Sequence, residues 1–77
     1  MVEEAMILRR LGDEKDELGC TFWEATVKYG FNNNLEVVVP FRSCAFKDPS
    51  ETDPDKVEFV DGMEELILDF AVHEVGG

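Results

Sequence analysis

Polar and apolar residues alternate along two neighbouring stretches of the chain. In residues 21–29 every second position is mostly apolar and the positions between are mixed, and residues 35–42 repeat the pattern. A period of two is typical of a β-strand that buries one face. The intervening residues 30–34 contain glycine and asparagine, which adopt left-handed backbone angles readily. The pattern therefore predicts a β-hairpin over about residues 20–44.

The length of the hairpin loop decides which residues face each other. Residues that lie opposite each other share a face of the sheet, so a shift of the register by one residue moves every side chain to the other face. A five-residue loop pairs Trp23 with Phe41 and places Cys20 opposite Cys44, whereas a three-residue loop offsets the cysteines. We predict the five-residue loop, which also pairs Tyr29 with Leu35 and Lys28 with Glu36. Pro40 has no amide proton, so the second strand is expected at a sheet edge or at a bulge.

The segment before the hairpin carries helix signals. Residues 2–11, VEEAMILRRL, combine strong helix formers with acids first and arginines last, and Gly12 follows where a helix would stop. We predict a helix here. The alternative is a strand that pairs with residues 20–29.

The segment after the hairpin begins with a loop and ends with a second helix. Residues 48–56 combine two prolines with acids and small polar residues, which predicts a loop. A short strand is predicted next, with Val57 and Phe59 on one face. Residues 62–74 have apolar residues at helical spacing, and Asp61 and Glu64 match a capping box, so we favour a helix over a strand.

Together these elements predict a single α+β domain over residues 1–77. Its small antiparallel sheet is built on the central hairpin of residues 20–44, and the C-terminal amphipathic helix of about residues 62–74 packs on one face. The predicted core consists of Trp23, Val27, Tyr29, Val37, Val39, Phe41, Phe59, Leu66, Ile67 and Phe70.

Charge is distributed unevenly along the chain. The net charge is −11, with residues 1–19 carrying −3, residues 20–47 carrying +1 and residues 48–77 carrying −9. A field of this sign repels nucleic acid and anionic membranes, and it attracts basic proteins and cations. We therefore expect no direct binding to nucleic acid or to membranes.

The acidic segment predicts a protein-binding module. Its expected partner is a protein with a basic surface, of the kind a nucleic-acid-binding enzyme has, and carboxylates would stand in for phosphates there. Small acidic inhibitors of restriction and CRISPR enzymes are similar in charge and size, though not in motif. High net charge also serves solubility alone, which is the competing interpretation. The expected contact residues are Asp48, Glu51, Asp53, Asp55, Glu58, Asp61, Glu64 and Glu65.

Candidate chemistry is sparse. Cys20 or Cys44 could be combined with His73 and Asp69 on paper, but sequence gives no geometry for such a site, so we predict neither an enzyme nor a bound cofactor. The carboxylates of residues 48–65 do not match a calcium-binding loop, and we predict no metal site. The N-terminus lacks the basic start of a signal peptide, so we expect a cytoplasmic protein with free thiols. The exposed edge of the second strand allows a monomer or a weak homodimer.

The C-terminal sequence AVHEVGG suggests a second function. Its Gly76-Gly77 end resembles the tails of ubiquitin-like modifiers and sulfur-carrier proteins, in which the terminal carboxylate is activated. The resemblance covers VDGMEELILDFAVHEVGG and implies that the last segment is a strand. The rest of the chain departs from that family, because the clear hairpin starts near residue 20 and an acidic loop follows it.

Overall fold

The computed structural model describes the backbone of residues 3–76 and the side chains of residues 4–74. Three strands form one antiparallel sheet in the order β1-β2-β3 within this range. A C-terminal helix packs onto the sheet, as the sequence predicts. The bounds are β1 Glu3–Lys15, β2 Thr21–Gly30, β3 Leu35–Arg42 and α1 Met63–Gly76, with short 3-10 turns at Phe31–Asn33 and Ser43–Ala45.

The β2–β3 hairpin has the predicted register. Trp23 pairs with Phe41, and the other predicted pairs, Lys28 with Glu36 and Tyr29 with Leu35, also form. The loop can close because Gly30 has φ 89° and ψ −173°, a region that side chains exclude. Asn32 and Asn33 have φ values of 59° and 54°, as their residue type allows. β3 lies at the sheet edge, which is one of the two positions expected for a strand that contains Pro40.

The N-terminal segment is a strand, so the predicted helix over residues 2–11 is wrong over its described part; Val2 lies outside the described residues. Met6 pairs with Val27 and Leu8 with Ala25, and both β1 side chains pack against the core. Helix propensity is a weak prior, and pairing with a buried strand outweighs it. The register shifts between Arg10 and Lys15, which ends the regular pairing.

Helix α1 packs through Ile67, as predicted, but not through the other two helix residues of the predicted core. Ile67 and Ala71 are buried and Met63 is half-buried, at spacings of four residues along one face. The predicted core residues Leu66 and Phe70 are 63 % and 51 % exposed, so their assignment to the core is wrong. The helix carries two apolar rows, and the row with the small Ala71 allows the closer approach to the sheet.

A cluster of aromatic rings forms the end of the core nearest the acidic loop. The ring centroid of Phe46 lies 4.9 Å from that of Trp23 and 5.2 Å from that of Phe59. Phe46 is 1 % exposed, and the predicted core did not include it. The predicted strand around Val57 is reduced to an isolated bridge between Phe46 and Phe59, because the chain turns away on both sides.

Cys20 and Cys44 form a disulfide across the base of the hairpin. Their Cα atoms are 5.7 Å apart, which the predicted register explains. The expectation of two free thiols is wrong for this structure. Next to the bond, the buried N–H of Thr21 donates to Ser43 Oγ at 2.9 Å. No helix within residues 3–76 is long and apolar enough to cross a membrane.

Candidate functional site

Four of the predicted contact residues gather in one hollow beside the start of α1. Glu58, Asp61, Glu64 and Glu65 line this hollow, together with Val57, Phe59, Val60 and Gly62, and its volume is about 380 Å³. We call it the acidic hollow. All four carboxyl-bearing residues are exposed.

Backbone hydrogen bonds hold the acidic hollow in place. The N–H of Lys47 donates to the carbonyl oxygen of Glu58 at 2.8 Å, and the N–H of Val60 donates to that of Ala45 at 2.8 Å. The chain then turns at Gly62, which has φ 85° and whose carbonyl accepts the first helical hydrogen bond. Gly62 therefore occupies the N-cap position that the sequence assigns to Asp61.

The predicted capping box does not form. Asp61 makes no side-chain hydrogen bond to the first turn within the described part of the chain, because Gly62 separates it from the helix. Glu64 and Glu65 lie in the first turn of α1, where negative charge is favoured by the helix dipole. These two carboxylates therefore have a structural role in addition to any role in binding.

The acidic hollow is poorly neutralised. No lysine or arginine is among its lining residues. Lys47 Nζ lies 3.8 Å from Glu58 Oε2, but the two side chains are 56 % and 74 % exposed. An exposed ion pair of this length stabilises little and is screened by salt. A negative potential therefore persists over Asp61 and the first turn of α1.

The loop acids Asp48 and Glu51 have a different environment. They line a hollow of about 450 Å³ opposite Arg10 and Lys15, so both signs of charge meet there. On their other side they line a smaller hollow of about 260 Å³ together with Lys47, Lys56 and Glu58. Asp48 and Glu51 therefore lie in mixed-charge surroundings, Glu58 lines both the smaller hollow and the acidic hollow, and Asp53 and Asp55 line none of the three.

Carboxylates of the acidic loop also stabilise its turns. Asp48 Oδ1 accepts hydrogen bonds from the hydroxyl and the N–H of Ser50, at 2.6 and 3.0 Å, and these bonds lower the pKa of Asp48. Asp53 Oδ1 accepts from the N–H of Asp55 at 2.9 Å. Asp48 and Asp53 therefore have a conformational role that the sequence reasoning did not assign.

Asp16 is a polar residue that sequence reasoning missed. Its Oδ1 accepts from the N–H of Cys20 and of Leu18, both at 2.9 Å, and its Oδ2 accepts from Arg42 Nη1 at 3.1 Å. The hydrogen bond from Cys20 is the main cause that lowers the pKa of Asp16. An aspartate whose carboxylate accepts a hydrogen bond from the N–H two residues later forms an Asx turn, and aspartate is for this reason a recognised turn signal.

The residues considered for catalysis do not form a site. Ligand atoms of Asp16, Cys20 and Cys44 lie within 4.8 Å of one another, but the two sulfurs are bonded to each other, so neither is a thiolate ligand or a nucleophile. His73 Nδ1 lies 3.9 Å from Asp69 Oδ1 on the exposed side of α1.

The C-terminal segment differs from the one that the Gly-Gly resemblance implies. Helix α1 extends to Gly76, which confirms the predicted C-terminal helix and contradicts the final strand that the resemblance implies; Gly77 lies outside the described residues. Comparisons of the chain with protein-family models, with curated proteins and with solved structures gave no match.

Proposed function

We propose that this chain is a small acidic protein-binding module whose partner has a basic surface. The observation that supports the proposal is the acidic hollow, which is lined by four acidic residues and, among the residues that the structure describes, by no lysine or arginine. Such a surface attracts a complementary basic patch and raises the rate of encounter with it. Binding of this kind needs neither catalysis nor a cofactor.

The finer proposal is that the module inhibits its partner. Basic patches on enzymes commonly bind nucleic-acid phosphates, and carboxylates placed against them exclude the nucleic acid by direct competition. The long-range attraction comes from the whole chain, with its net charge of −11. The acidic hollow supplies the local contact, and the other predicted contact acids, from Asp48 to Asp55, contribute to the attraction through their charge.

Neutralising the acidic hollow tests the proposal. We design the triple variant Asp61→Asn/Glu64→Gln/Glu65→Gln, which keeps side-chain size and removes three charges. The expected result is weaker capture of the partner and a smaller dependence of that capture on salt. The measurement is retention of the partner on immobilised protein across a salt series.

A matched control separates local contact from total charge. The variant Glu4→Gln/Glu14→Gln/Glu17→Gln removes three exposed acids of the β1 region and reaches the same net charge. We expect it to retain the partner nearly as well as the unaltered protein. Equal losses in both triple variants would mean that only net charge matters, and the acidic hollow would no longer be the binding site.

The cytoplasmic location is part of the same proposal. Cytosolic thiols are normally kept reduced, whereas Cys20 and Cys44 are bonded in this structure. A cytoplasmic module would therefore work in its reduced and less stable form. Labelling with a thiol-reactive maleimide in intact cells tests this: two labelled thiols per chain support the location, and unlabelled protein contradicts it.

A further inference from the structure

Within residues 3–76, one face of the sheet is not covered by another helix or strand. Helix α1 packs on the face that carries Trp23, Ala25, Val27 and Tyr29. The opposite face carries the alternate β2 residues Phe22, Glu24, Thr26 and Lys28 and their cross-strand partners in β1 and β3. We call this opposite face the outer sheet face.

Exposed apolar residues form the middle and one end of the outer sheet face. Ile7 and Val38 are the two cross-strand partners of Thr26, and they are 53 % and 49 % exposed. Towards one end lie Phe22 and Leu11, which are 40 % and 47 % exposed and line a common hollow. Apolar residues grouped in this way on a protein surface commonly mark an interaction site.

The charges on the outer sheet face nearly balance one another. Arg9 Nη1 lies 3.3 Å from Glu24 Oε1, and Lys28 lies opposite Glu36 in the strand register. Arg42 Nη1 is bridged by Asp16 Oδ2 at 3.1 Å, and Glu14 lines the hollow of Leu11 and Phe22. These three cations and four acids give a net charge of −1, so this face has little of the acidic excess found elsewhere.

We propose that the outer sheet face is the contact surface between two copies of this chain. A face of nearly balanced charge can meet a second copy of itself without the repulsion that the acidic surfaces would cause, and a two-fold symmetric interface brings the same patch of both copies together. Two such faces pack as in a β-sandwich, with the acidic hollow of each copy on the outside. The predicted homodimer thus uses the sheet face rather than the β3 edge.

The size of the face sets the strength of the dimer. Three strands of about eight paired residues cover roughly 14 by 25 Å. Stable interfaces bury about 1,200 Å² or more in total, whereas two faces of this size cover roughly 700 Å², which is below that range and belongs to weak, transient contacts. The dimer is therefore weak, and the repulsion between two chains of −11 weakens it further at low salt.

The exposed apolar row of α1 is a less suitable contact. Leu66 and Phe70 are exposed there, but Glu65 and Asp69 lie beside them on the helix. Two copies meeting through this row would bring like charges together, which costs free energy. This row supplies the matched control for the outer sheet face.

Sedimentation equilibrium of the oxidised protein over a range of concentrations and salt tests the proposal. We expect a monomer–dimer equilibrium that becomes tighter as salt rises, because screening removes the repulsion between the acidic surfaces. The variant Ile7→Thr/Val38→Thr keeps β-branched side chains and should weaken the dimer at least about tenfold, because both copies lose apolar contact. The control Leu66→Gln/Phe70→Gln should leave the dimer constant unchanged.

Three results would overturn the proposal. They are a monomer at every concentration and salt, a dimer weakened by the α1 variant but not by the sheet variant, and a dimer that dissociates as salt rises. The expected salt dependence is opposite in sign to that of the acidic hollow and its partner. Failure of one proposal is therefore distinguishable from failure of the other.

Discussion

Reduction of the Cys20–Cys44 disulfide should remove a large share of the stability of this domain. The bond joins residues 24 positions apart. In the chain-entropy model a loop of this size stabilises the folded state by about 3.5 kcal/mol, because it restricts the unfolded chain. A domain of this length has a free energy of unfolding of roughly 4–12 kcal/mol, so the loss is severe.

Urea unfolding with and without a dithiol reductant measures the effect. The chain has one tryptophan, Trp23, which is 0 % exposed, so its fluorescence reports on the core. The free energy of unfolding should fall by about 2–4 kcal/mol on reduction, and the m-value should rise because the unfolded chain expands. The Cys20→Ala/Cys44→Ala variant is the control, and its unfolding should not respond to the reductant. A loss below about 1 kcal/mol in the unaltered protein would refute the reasoning.

Three further predictions concern the core, the hairpin loop and a titrating carboxylate. Phe46→Ala should cost about 3–5 kcal/mol of unfolding free energy, whereas Phe31→Ala, at a side chain 68 % exposed, should change it by less than about 0.5 kcal/mol; similar values in thermal melts would argue against the aromatic cluster. Gly30→Ala should destabilise more than Gly19→Ala, because its Cβ would lie 3.0 Å from Asn34 Oδ1 while the Cβ at Gly19 meets nothing within 4 Å; equal urea midpoints would contradict this. Asp16 has a lowered pKa in the folded state, so its contribution to stability is present above its unfolded pKa and is lost as pH falls through the folded pKa. The stability difference between the unaltered protein and Asp16→Asn should therefore shrink from neutral to acidic pH, and a constant difference would show that the carboxylate charge is not involved.

The central hairpin could be predicted because two signals agree. The period-two pattern defines each strand. The apolar faces of both strands must lie on the same side of the sheet, and this requires a loop with an odd number of residues. The same register placed Cys20 opposite Cys44, although sequence could not decide whether they are oxidised. Oxidation depends on the redox environment, which the pattern of residues does not encode.

The errors arose where local signals compete with tertiary contacts. Residues 2–11 have helix-forming composition, but pairing with β2 packs the half-buried Met6 and Leu8 against the core and outweighs that preference. Helix α1 has two apolar rows, and spacing alone cannot decide which row faces the sheet. Phe46 lies outside any periodic stretch, so its burial depends on contacts that only the fold creates.

The candidate site was predicted as a set of residues but not as an arrangement. Charge density drew attention to the acidic segment, yet it could not separate Asp48 and Glu51, which share a hollow with Arg10 and Lys15, from the acids around Asp61. That separation depends on the turn at Gly62 and on the strand bridge before it. These are tertiary features without a charge pattern of their own.

The most direct test of the acidic hollow is capture of a partner from a lysate of the cells that naturally produce this protein. Unaltered protein and the two charge-matched triple variants are immobilised side by side, and bound proteins are eluted with salt or with duplex nucleic acid and identified by mass spectrometry. The account predicts a basic, nucleic-acid-binding protein that both eluents release, that the Asp61/Glu64/Glu65 variant loses, and that the Glu4/Glu14/Glu17 variant keeps. Equal retention by both variants, release by neither eluent, or no specific protein would contradict it.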